Sequence, residues 1–232
     1  MCSNLAGEDM WDNIKHKMAQ WIPTHVSPRI VVFFYNVLSG LSIIRGSVRK
    51  THRSGNEAVL KAEGSPLKNG FIDNQHEWKN VRFGRSDMAF SGCEIMAVYN
   101  VLYALGKGEG AAFVGDLIEE FEKSGAAIGG LIGSSPTSVR RHLKKHGIRS
   151  HIVWKEDDLD EDTDMAIVTL YNNKQTLYSQ IHTIAFIREE QGFTVHNARS
   201  RQKYYHSLKE AVNGVGTDPK MICAIEIDSK SL

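Results

Sequence analysis

Residues 182–197 read HTIAFIREEQGFTVHN, and this stretch sets the fold class. His182 to Ile187 is rich in β-branched and aromatic residues. A polar turn follows near 189–192, and Gly192 to Asn197 forms a second β-rich run. Two such runs around a short turn predict adjacent antiparallel strands, with His182 opening the first and Asn197 ending the second. Further β-rich runs lie on either side: His151–Trp154, Ala166–Tyr171 and Ile222–Ile227, with a short helix predicted over 206–213.

Upstream the apolar period changes from 2 to about 3.6. Gly92-Cys93 opens a predicted helix whose apolar face includes Ile95, Met96, Val98, Tyr99, Leu102 and Leu105, stopped by Gly106. A second helix is predicted over 110–124. A third begins at Ser135-Pro136, a cap followed by proline at the first helical position, and ends at Gly147. The glycine-rich stretch 125–133 reads as a flexible loop between them. Helices first and strands afterwards predict an α+β fold with a mainly antiparallel sheet.

The first 70 residues follow a different pattern. An amphipathic helix is predicted over 8–22, ended by Pro23. The apolar run 30–44 is interrupted by Asn36, Ser39, Gly40 and Ser42. It is shorter than the roughly 20 residues a spanning helix needs, so a buried or interfacial helix is expected and no membrane span. Residues 47–70, broken by Gly55, Gly64, Pro66 and Gly70, read as a loosely packed connector. The chain therefore divides into an N-terminal helical extension, 1–70, and a domain over 71–232. Three roles suit the extension: packing on the domain, covering its groove like a pro-segment, or making a homodimer contact.

The chain has 232 residues and a formal net charge of +1. That balance gives no footprint for nucleic acid. Three cysteines at wide spacing, Cys2, Cys93 and Cys223, argue against a disulfide framework or a CxxC zinc site. They fit a reducing compartment, and with no basic-plus-apolar secretory signal the expectation is cytoplasmic. No metal is expected, because no histidine pair at helical spacing is read with a carboxylate third ligand. No GxxxxGK[ST] loop is present and no cofactor is expected.

The chemistry-bearing residue is Cys93. A thiol at a helix N-terminus is drawn toward the thiolate by unsatisfied N–H groups and the helix dipole, and Gly92 permits close approach of a substrate. His182 is the expected base. The Asn197 side-chain oxygen is expected to accept from one imidazole N–H, leaving the other nitrogen for the thiol. His196 should point to the opposite face by period-2 alternation.

This ordered set resembles the papain-like cysteine peptidases, nearest to the leader-peptidase domain that bacterial exporters use on double-glycine peptides. The resemblance rests on Gly92-Cys93 at a helix start, the Gly133-Ser134-Ser135-Pro136 helix entry, the His182 strand and the Asn197 strand end, and covers roughly residues 80–228. It implies a Cys-His-Asn hydrolase that cleaves a peptide or other small amide through an acyl-enzyme. Acyl transfer, or a non-catalytic peptide-binding groove, are the alternatives. The family places Gln six residues before the nucleophile, in the oxyanion site. Here that position is Asp87, whose carboxylate would repel an oxyanion unless burial keeps it protonated.

Overall fold

The computed structural model describes residues 17–41, 44–68, 70–177, 180–198 and 202–228. Cys2 and most of the helix expected at 8–22 lie outside these. The chain enters through α1 (17–25), α2 (Pro28–Gly40) and α3 (Gly46–Lys61). Pro23 does not end α1: Val26 N–H still bonds the Ile22 carbonyl at 3.0 Å. A proline removes one intrahelical bond, and two residues from the helix end that loss is tolerated.

The connector expected over 47–70 is corrected: most of it is α3. A glycine inside a helix costs about 1 kcal/mol relative to alanine, and Gly55 hid the pattern. Tertiary contacts offset the cost. The Asn56 side chain holds the Arg82 backbone from both sides (2.7 and 2.8 Å), and Arg53 pairs with Asp116. Leu60 is buried in the main core together with Ile44, Trp78, Phe83, Met96 and Phe121. That core therefore crosses the boundary read at residue 70.

A short hairpin, β1 (Arg82–Phe83) and β2 (Ser86–Asp87), leads into α4 (Met88–Ser91) and α5 (Cys93–Ala104). Ten of the twelve α5 residues are buried, which makes it the central helix of the molecule. Next come α6 (Gly110–Lys123) and α7 (Pro136–Lys145), whose Ser135 N-cap accepts from Thr137 N–H at 3.2 Å. The glycine-rich segment between them is packed rather than loose. Gly129 and Gly130 are buried, Ala126 bridges to Ser134, and the Gly129 carbonyl accepts from Arg85 N–H at 2.8 Å. A Cβ on Gly84 would meet that carbonyl oxygen at 2.0 Å, so the two glycine turns interlock.

The strands follow: β3 (Ser150–Val153), β4 (Met165–Tyr171), β5 (Ile181–Glu189), β6 (Gly192–His196), β7 (Tyr204–Tyr205) and, after α8 (Leu208–Gly214), β8 (Lys220–Ile227). They form one sheet in the order β3-β8-β4-β5-β6-β7, with every pairing antiparallel. The fold is α+β. Alternation sends Ile167, Ala185, Ile187 and Ile225 toward α5, and Val168, Ile184, Phe186 and Val195 toward α8. Among the described residues, no helix is long and apolar enough to cross a membrane.

Candidate active site

Cys93 begins α5 directly after α4. The turn between the two helices requires Gly92, since a Cβ there would meet Met88 Sδ at 2.6 Å. Cys93 is 7% exposed. Its thiol donates to Glu94 Oε2 at 3.4 Å, and the Thr183 amide and hydroxyl of β5 donate to it. The helix start was expected to lower its pKa, and the opposite holds. Burial pushes the thiol well above its ordinary value and the Glu94 charge adds to the rise, outweighing the Thr183 hydrogen bonds. The resting sulfur is a neutral thiol.

Glu94 follows it on the helix and is almost fully buried (4% exposed). Burial raises its pKa to about 7, although its own amide, the Ser134 amide and the Cys93 thiol all donate to the carboxylate. Gly133, at φ +80°, runs against this group, and a Cβ there would stand 2.9 Å from Glu94 Oε1. From α2, Tyr35 enters the same space. Its phenol is pushed up by burial first, then by the charges of Glu94 and Cys93.

His182, near the start of β5, is 7% exposed. Its Nε2 donates to the Asn197 main-chain carbonyl at 2.6 Å. That acceptor places a proton on Nε2, so in the neutral ring the lone pair is on Nδ1. The expectation that the Asn197 side chain orients the ring is therefore corrected. That side chain faces Gln75 instead: Oδ1 accepts from Gln75 N–H at 3.0 Å and Nδ2 donates to Gln75 Oε1 at 3.1 Å. Asn197 adopts φ +66°, a left-handed conformation that asparagine tolerates better than most residues. That conformation turns its carbonyl toward the ring. His196 pairs elsewhere, with Asp73 Oδ1 at 2.9 Å, under the Phe71 ring. Burial raises the Asp73 carboxyl, but hydrogen bonds from His196 and Lys203 outweigh it and hold the group at about 2.

Cys93, His182, Asn197 and Asp87 all line one cleft of about 860 Å³, together with Gln75, Glu94 and Tyr35. The structure thus brings the four sequence-selected residues to one place, with different contacts from those expected. Asp87 serves as the N-cap of α4, its Oδ1 accepting from Phe90 N–H at 2.9 Å. Replacing Asp87 with alanine is expected to lower stability by about 1 kcal/mol, read from urea unfolding, while asparagine should retain most of it.

Sequence reasoning missed Gln75, Glu94 and Tyr35. Glu94 carried a usable signal, an acid on an otherwise apolar helix beside the cysteine. Gln75 carried none, because its partner Asn197 is 122 positions away. His142 on α7 and His146 at its C-cap, four apart, do share a carboxylate: Glu120 Oε2 lies 3.2 and 3.6 Å from them. Lys145 also pairs with that carboxylate. No group of three or more His, Cys, Asp or Glu among the described residues is arranged to hold a metal ion. Comparison with protein-family models, curated proteins and solved structures finds no match to this chain.

Proposed function

We propose that this chain is a papain-like cysteine hydrolase that cleaves a peptide or other amide, with Cys93 as nucleophile and His182 as base. The observation that carries this reading is the convergence of two elements on one cleft. One is a cysteine at the N-terminus of the buried helix α5. The other is a histidine on β5 whose Nε2 is held by the Asn197 carbonyl at 2.6 Å.

In this mechanism the substrate carbonyl carbon is attacked by Cys93 Sγ as its proton passes to His182 Nδ1. The Asn197 carbonyl steadies the imidazolium that forms, in the orienting role a carboxylate or amide plays in other triads. The Cys93 amide, at the start of α5, faces the developing oxyanion. Asp87 does not serve there, since its carboxylate is engaged by Phe90 N–H. The amine leaves with the proton from His182, and water then releases the acyl group from sulfur by the reverse proton path. A free-thiol nucleophile of this kind belongs in a reducing compartment such as the cytoplasm.

The raised pKa and burial of Cys93 favour a second reading, a cleft that binds a peptide without cutting it. Alkylation with iodoacetamide, located by mass spectrometry, separates the two. A hydrolase should be modified at Cys93 faster than at the buried Cys223, and pre-incubation with a cleaved peptide should protect it. Equal or slower labelling at Cys93 would remove the catalytic reading.

A further inference from the structure

The N-terminal helices carry a feature that the cleft does not use. The inward side of α2 is fully engaged. Val32 is buried beside Tyr171 and Ile222, Asn36 accepts from the Ser135 hydroxyl, and the Ser39 hydroxyl donates to the Gly125 carbonyl at 2.9 Å. Its opposite side is apolar and bare. Ile30, Phe33, Phe34, Val37 and Leu41 are 48, 61, 57, 41 and 76% exposed. These positions stand at i, i+3, i+4, i+7 and i+11, so they form one continuous stripe along the outer face. On α1, Met18 and Trp21 are also exposed, at 55 and 54%.

Charge distribution separates the occupants such a face could take. From Asn13 to Asn56 the sequence holds seven Lys or Arg and no Asp or Glu, although the whole chain is nearly neutral at +1; of the seven, Arg53 is neutralised by Asp116. Arg29 is exposed at the start of α2, with its guanidinium 5.4 Å from the Trp154 ring centre. Lys17 precedes Trp21 by one helical turn, and Arg29 precedes Phe33 by one turn. A second copy meeting this face about a two-fold axis would set cation against cation. An anionic surface would meet both the charges and the stripe. A helix of 13 residues is about 20 Å long, short of the roughly 30 Å of bilayer hydrocarbon. It can lie in the headgroup boundary but cannot cross it. Aromatic side chains with neighbouring Lys and Arg suit that boundary.

We propose that the outer face of α2 docks on the surface of an anionic phospholipid bilayer. The face is independent of the chemistry in the cleft, so this proposal stands or falls apart from the hydrolase reading. It also orients the molecule. Leu131 and Ile132, which line the cleft and are 39 and 38% exposed, directly follow the turn Ala127–Gly130 against which α2 packs, so the cleft would open close to the membrane plane.

The test is co-sedimentation of the full chain with phosphatidylcholine vesicles, with and without phosphatidylserine. The expected result is partition onto the phosphatidylserine vesicles, weakened by added salt, and little onto phosphatidylcholine alone. The double variant Phe33→Ser/Phe34→Ser should lose about tenfold or more of that partition. Val37→Ser/Leu41→Ser should do the same, and thermal unfolding should show both variants folded, since these side chains are exposed. Three results overturn the proposal: no partition onto either vesicle, equal partition by wild type and both variants, or a wild-type dimer by light scattering that the variants convert to monomer. The last would assign the face to a second copy of the chain.

Discussion

Cys93→Ala is expected to abolish amide hydrolysis, with a fall in kcat/KM of about 10⁴-fold or more, since a missing nucleophile takes the whole covalent route with it. The measurement is turnover of a fluorogenic peptide pool by wild type and variant, matched for folded fraction by urea unfolding. Sγ is small and nearly buried, and alanine leaves little more than the space of one sulfur atom, so the variant should fold. The loss would then be chemical. If Cys93→Ala retained wild-type turnover, the nucleophile assignment would be wrong, whatever the geometry of His182.

The second large effect is expected at Glu94, and its sign follows from the pKa. Burial lifts this carboxyl from 4.5 in the unfolded chain to about 7 in the folded one. A group whose folded pKa is raised contributes stability that is fully present below the unfolded value and is lost as pH rises through the folded value. The native state therefore loses stability between about pH 4.5 and pH 7, by about 3 kcal/mol in total. Glutamine cannot ionise, and it keeps an oxygen for the Ser134 amide. Glu94→Gln should match wild type near pH 4 and exceed it by about 3 kcal/mol near pH 8. The check is urea unfolding of both proteins across that range. A difference that stays flat with pH would mean Glu94 is not a buried carboxyl of raised pKa. The same substitution removes the charge that helps raise the Cys93 thiol, so alkylation of Cys93 near pH 8 should quicken.

These two residues also mark how far local pattern could reach. The Cys93 helix, the β5–β6 hairpin and the α+β order were legible because each is encoded over a few neighbouring residues: a 3.6 or 2-residue apolar period, a capping serine before proline, a polar turn ending at Gly192. The observed strands Met165–Tyr171, Ile181–Glu189 and Lys220–Ile227 differ from the expected runs by one or two residues at their ends, where periodicity carries least information. The α3 helix was not legible, because Gly55 lowers its intrinsic preference and its compensating partners, Arg82, Asp116 and the core around Leu60, come from other segments.

By itself the sequence determined most of the elements and which residues carry reactive groups, and period 2 together with the turn determined that His182 lies on one strand of a hairpin and Asn197 at the end of the other. Only the tertiary structure decided what those groups do to one another. It set the Asn197 carbonyl rather than its amide on His182, because the left-handed backbone at Asn197 and the distant Gln75 draw the side chain away. It raised the Cys93 thiol instead of lowering it, because desolvation and the Glu94 charge exceed the pull of a helix N-terminus. It also brought Tyr35 of α2 into the cleft while turning the aromatic stripe of the same helix outward. Propensity acts over a few residues, whereas solvation, charge and hydrogen-bond partnership depend on whatever the rest of the chain brings within a few ångströms.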